Sequence, residues 1–152
     1  MNKLFMTVIL SVFFVSPVFA YDKGLAKNFE QYFSSFSVGG TGKAMQFISA
    51  KALVVGQQKG DNLFVLDVRT PGETSIYGFN MANSLAIPMD KVFKPENLKK
   101  IPTELKVVVV CKAGTRAIAV ATGLRNIGFK NVFVLKNGFA ALANYHSPKT
   151  AY

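Results

Sequence analysis

Apolar positions along the chain follow two different spacings. Between residues 22 and 36, Leu25, Phe29, Tyr32, Phe33 and Phe36 recur mainly at three and four, which predicts a short helix with a core-packing aromatic stripe. Residues 37–42, Ser-Val-Gly-Gly-Thr-Gly, end it in a turn. Residues 44–48 read as a short first strand, and Ser49 is placed to cap a helix that ends near Gly56. The apolar run at 63–68 has strand length and carries Asp67 and Arg69 at its carboxyl end. Pro71-Gly72 turns the chain ahead of a brief helix from Glu73, and residues 84–88 form another short strand closed by Pro88. Pro95 opens a helix over 95–101.

Four consecutive valines, Val107 to Val110, have no polar alternation, as expected of a central strand buried on both faces of a parallel sheet. Ala117, Val120, Ala121, Leu124 and Ile127 then mark a helix over 116–127 that stops at Gly128. A strand at 131–135 and a closing helix at 138–145 complete the pattern. Strands alternating with helices at this density give an α/β fold with a mostly parallel sheet.

The first twenty residues stand apart. Lys3 precedes a 12-residue apolar run over 4–15, and Val18 and Ala20 lie three and one positions before the polar Tyr21-Asp22. This is the layout of a secretory signal peptide, and the run is shorter than the ~20 residues of a membrane-spanning helix. The expected organisation is a signal peptide at 1–20, a helical extension and glycine-rich turn at 21–43, the α/β domain at 44–147 and a tail at 148–152. The expected product is an exported, periplasmic protein with no stable membrane anchor after cleavage; a retained leader acting as an anchor is the alternative.

Composition narrows the chemistry. Half of the residues are hydrophobic and 17% are charged, which excludes a disordered or collagen-like chain. A net charge of +10 favours small anions, but scattered lysines without a recognition motif argue against nucleic-acid binding. One Cys and one His exclude an internal disulfide, a cysteine-rich zinc site or a histidine-based metal cluster, and no metal or cofactor is implied. His146 reads as a surface residue. In an oxidising compartment the single thiol is either buried and inert or reactive for a purpose.

Cys111-Lys112-Ala113-Gly114-Thr115-Arg116 lies between the four valines and a helix start. Gly114 lets the backbone turn, and successive amide N–H groups with a helix N-terminus form a concave anion site. The sulfur of Cys111 is expected at its mouth, where the helix dipole and Lys112 favour a negatively charged sulfur. Arg116 adds a permanent positive charge able to hold an oxyanion.

Leu66-Asp67-Val68-Arg69 with Pro71 and Glu73, then Ala86-Ile87-Pro88, then residues 107–116, and finally Gly128-Phe129, residues 131–135 and Gly138-Phe139, form an ordered set that resembles the rhodanese, or thiosulfate sulfurtransferase, family. The resemblance spans about 47–145. It implies a five-stranded sheet sandwiched by helices. It also implies sulfur transfer through a persulfide on Cys111, from a small anionic donor such as thiosulfate to cyanide, a thiol or a protein thiol. Lys112, Ala113, Gly114, Thr115 and Arg116 would hold the donor and the persulfide; Asp67, Arg69 and Glu73 would support the loop. Four residues separate Cys111 from Arg116, against five in related thiol phosphatases, so phosphatase or arsenate-reductase chemistry is the minor alternative. An inert binding module or a persulfide carrier, with residues 22–36 as docking element, is the other. The family's Gly-His pair ahead of Ile-Pro is Gly78-Phe79 here, and Leu142 stands where an aromatic residue is common in the last helix.

Overall fold

A computed structural model of the chain describes residues 20–36 and 40–149. The proposed leader lies outside the described residues apart from Ala20, as do residues 37–39 of the turn and 150–152 of the tail.

Five strands, β1 (Phe47–Ile48), β2 (Leu63–Asp67), β3 (Ser84–Ala86), β4 (Lys106–Val110) and β5 (Val132–Leu135), form one sheet in the order β1-β5-β4-β2-β3. Every pairing is parallel. The valines of β4 are fully buried at the centre of the sheet, and their alternation divides the core. Val107 and Val109 join Leu66, Val132 and Val134 beneath α6 (Thr115–Asn126), which contributes Ala117, Val120, Ala121 and Leu124. Val108 and Val110 join Val65 and Leu135 on the opposite face, beneath Leu53 and Val54 of α3 (Ala50–Gln58) and Leu142 of α7 (Gly138–Tyr145). Each buried valine contributes about 1.5–3 kcal/mol of transfer free energy. Helices therefore cover both faces of the sheet, as the run of unbroken valines requires.

The boundaries differ most from the sequence expectation at three places. Residues 44–46 of the expected strand are not strand: Ala44 ends a single helical turn, α2 (Thr41–Ala44), and Gln46 adopts φ 51°, so only Phe47 and Ile48 pair with β5. Ser49 caps α3 by accepting from Ala52 N–H at 3.1 Å, but the helix runs through Gly56 to Gln58. Gly56 is a point of close approach instead of a stop, since a Cβ there would lie 2.7 Å from Asp61 Oδ2. The helix opened by Pro95 is one turn, α5 (Pro95–Leu98), preceded by a 3-10 turn at Met89–Lys91.

The aromatic stripe of α1 (Lys23–Ser34) corrects a further expectation: α1 contains no buried residue. Both sheet faces are already covered, so the helix lies at the periphery. Its rings pack mainly on one another, with Tyr32 and Phe33 edge to face at 5.0 Å and Phe33 and Phe36 at 5.3 Å. Tyr32 Oη accepts from Arg125 Nη1 at 3.1 Å, which ties α1 to the end of α6.

Register places the site. Asp67 is opposite Ala86 on one side and Val110 on the other, so β2, β3 and β4 end together. Residues that follow them meet at the carboxyl edge of the sheet, where α/β folds gather their ligands.

Candidate active site

Cys111 follows the last residue of β4 and is 1% exposed. The expectation of a sulfur at the mouth of the loop is thus corrected to one at its floor. Its sulfur accepts the N–H of Gly114 at 3.1 Å and of Ala117 at 3.4 Å. Gly114 adopts φ 103°, a conformation that strains other residues, and caps α6 without any side-chain cap. The first-turn N–H groups of α6 are therefore left to the sulfur and its ligands rather than to a capping hydroxyl or carboxylate.

The loop is shaped from behind by α7. Phe139 N–H donates to Cys111 O at 2.7 Å and Ala140 N–H to Lys112 O at 3.0 Å. With no cis peptide among the described residues, each peptide N–H points opposite its C=O. Pulling the carbonyls of Cys111 and Lys112 toward α7 turns the N–H groups of Lys112 and Ala113 away from it. This approach needs Gly138, at φ 58°: a Cβ there would lie 2.3 Å from Cys111 O and 2.8 Å from Ala113 N. Gly138 and Phe139 thus belong to the site's scaffold. Both stand in the segments that carry the resemblance, but no local pattern gives either a role, because their contact with the loop spans 27 residues of chain.

Two ion pairs frame the loop. Arg69 and Asp67 are both buried, 4% and 2% exposed; Arg69 Nη2 meets Asp67 Oδ2 at 2.6 Å and Arg69 Nε meets Asp67 Oδ1 at 2.9 Å. Arg69 Nη2 also donates to Tyr77 O at 2.7 Å, and its guanidinium lies 4.0 Å from the centre of the Phe139 ring. Buried charge is tolerable here because each group is paired and hydrogen-bonded. The result links the ends of β2 and α4 (Pro71–Ile76) to the first turn of α7.

Arg116 holds Glu73 through a two-pronged contact, Nη1 to Oε2 at 2.8 Å and Nη2 to Oε1 at 2.6 Å. Glu73 also closes a capping box with Thr70 at the start of α4: its carboxylate accepts Thr70 N–H at 2.9 Å, and Glu73 N–H donates to Thr70 Oγ1 at 3.3 Å. Arg116 and then Thr70 hold the Glu73 carboxyl down to about 2. Glu73 in turn raises the pKa of Arg116, with the nearby Cys111 sulfur acting in the same direction. Arg116 therefore stands beside the sulfur with its fork already shared with Glu73. Lys112, Ala113 and Thr115 are exposed on the loop and helix start, while Gly114 is buried.

All nine residues singled out in the sequence meet at this carboxyl edge. Residues 49–145 match the rhodanese-like domain family. The chain belongs to the rhodanese family. This rhodanese-like domain is 29% identical over 91 residues to a sulfurtransferase of Allochromatium vinosum, covering 60% of the chain and 81% of that protein. It is 30% identical over 89 residues to the probable adenylyltransferase/sulfurtransferase MoeZ of Mycobacterium tuberculosis, matching 59% of the chain but spanning only 22% of that relative's length. Among solved structures, the rhodanese-like domain protein of Staphylococcus aureus superposes with a TM-score of 0.57 at 26% identity, over 64% of this chain and 91% of the other. The rhodanese fold, with its five parallel strands and flanking helices, is the one described above.

Proposed function

We propose that the protein is an exported sulfurtransferase that carries sulfane sulfur on Cys111, from thiosulfate or a similar anionic donor to cyanide or a thiol. The observation that carries the reading is the Cys111 sulfur accepting two N–H groups at an uncapped helix start. Cys111 thiolate attacks the outer sulfur of thiosulfate; a new S–S bond forms, the S–S bond of the donor breaks, and its electron pair leaves with sulfite. The persulfide left on Cys111 keeps a negative charge on its outer sulfur, which the loop amides of residues 112–116 stabilise, while the N–H groups of Gly114 and Ala117 hold the Cys111 sulfur itself. Cyanide or a thiolate then attacks the outer sulfur, and the electron pair of the broken bond returns to Cys111.

In this scheme Lys112 and Arg116 attract the dianionic donor, and Thr115 and Ala113 line its approach on the loop. Glu73 holds Arg116 in place, while the Asp67–Arg69 pair and Phe139 hold the loop. Export rests on the leader-like residues 1–20. Thiosulfate:cyanide transfer is expected in the wild type and absent in Cys111→Ser. Comparable turnover in Cys111→Ser contradicts the proposal, and a wild type that loads sulfur without passing it to cyanide or thiols points to a carrier.

A further inference from the structure

Beside the sulfur-bearing loop lies a cleft of about 480 Å³ lined by Arg69, Glu73, Ile76, Tyr77, Lys112, Phe139, Ala140 and Ala143. That volume fits a small organic molecule and far exceeds what cyanide or thiosulfate would fill. Most of the wall is apolar: Ile76 and Tyr77 stand 72% and 66% exposed at its rim, and the Tyr77 and Phe139 rings face each other at 6.3 Å. Three charged side chains line it. Arg69 is paired with Asp67 and Glu73 with Arg116, so among the described residues Lys112 is the charged group of the cleft with no opposite partner. The cleft reaches the reactive loop directly, through Lys112 itself and through Phe139, whose N–H holds Cys111 O.

We infer that this cleft binds the sulfur acceptor, and that the acceptor is a small organic thiol with an apolar, ring-sized body and one carboxylate that meets Lys112. The inference rests on the sulfurtransferase reading and specifies its second substrate. The thiolate of the acceptor attacks the outer sulfur of the Cys111 persulfide. A new S–S bond forms on the acceptor, the Cys111–sulfur bond breaks, and its electron pair leaves Cys111 as thiolate. The acceptor departs as a persulfide, and its thiol proton goes to solvent. No oxidant or reductant is required, since the sulfur changes carrier without changing oxidation state.

The test compares three thiols of similar intrinsic reactivity as acceptors from the thiosulfate-loaded full chain: 2-mercaptoethanol, benzyl mercaptan and 4-(mercaptomethyl)benzoate. An apolar body in a fitting pocket is worth at least about tenfold in kcat/KM, so benzyl mercaptan is expected to exceed 2-mercaptoethanol by that factor, with the carboxylated thiol better still. Ile76→Ser and Ala143→Asp, both at exposed positions, are expected to bring the benzyl mercaptan to 2-mercaptoethanol ratio toward one. Equal use of benzyl mercaptan and 2-mercaptoethanol by the wild type, or a ratio unmoved by both variants, overturns the cleft assignment. Equal use of the two ring-bearing thiols overturns the role of Lys112. Sulfur loading on Cys111 and turnover with cyanide, measured alongside, separate the two claims: with both present and no thiol preference, the inference alone fails. With neither present, the sulfurtransferase reading fails and takes the inference with it.

Discussion

Gly138→Ala probes how closely the loop depends on α7. A methyl group at this position would sit 2.3 Å from Cys111 O, 2.8 Å from Ala113 N and 2.8 Å from the Lys112 carbonyl carbon, where ordinary contact begins near 3.4 Å. Relief requires the loop and the first turn of α7 to part by about 1 Å, and a misplacement of that size at a reacting group costs on the order of 100-fold in rate. The separation also stretches the bonds from Phe139 N–H and Ala140 N–H to the loop carbonyls. The left-handed conformation at φ 58° costs an L-residue about 1–2 kcal/mol, and two weakened hydrogen bonds bring the expected destabilisation to about 2–4 kcal/mol. Urea unfolding gives the stability change, and thiosulfate:cyanide turnover gives the rate. Gly72→Ala, where a Cβ meets nothing within 4 Å, is the control and should leave both nearly unchanged. A Gly138→Ala protein that remains folded with wild-type turnover would refute the argument that α7 sets the loop.

Glu73→Gln removes half of the contact with Arg116 and weakens the Thr70 capping box, and should cost about 1 kcal/mol because the pair is partly solvent-screened. The folded carboxyl is held down to about 2 from an ordinary 4.5. Its stabilisation is therefore complete above about pH 4.5 and is lost as pH falls toward 2. Urea midpoints of wild type and Glu73→Gln should differ steadily from pH 5 to 8 and converge below pH 4.5; a constant gap down to pH 2 would contradict this. Arg69→Met leaves the Asp67 carboxylate buried and unpaired, and should cost about 3–5 kcal/mol. Replacing Asp67 by Leu in the same protein should recover much of that in thermal unfolding, whereas additive losses would show that the pair is not the coupled unit.

The sheet and the reactive loop were legible because their signals are local. Val107 to Val110 announce a doubly buried strand, and Gly114 beside Cys111 and Arg116 announces a turn into a helix start. The supporting pairs were harder to read. Asp67 and Arg69 are two residues apart and visible at one strand end, but the Glu73–Arg116 contact joins positions 43 residues apart, and only the resemblance suggested that Glu73 mattered. The approach of Gly138 to Cys111 depends on how α7 packs against β4, which no local pattern encodes. The stripe on α1 failed for a different reason. Periodicity shows that a helix has an apolar face, but not that a free face of the sheet remains to receive it. The depth of Cys111 escapes local patterns likewise, since its side chain turns into the core beneath α6 with Leu66, Val68 and Ala117, and that packing is a tertiary effect.

The central claim is that Cys111 takes up a single sulfur atom, and intact-protein mass after incubation with thiosulfate tests it most directly. The account predicts a gain of one sulfur atom on the wild type, removed by cyanide and absent in Cys111→Ser. An unchanged wild-type mass, or the same gain in Cys111→Ser, would contradict it.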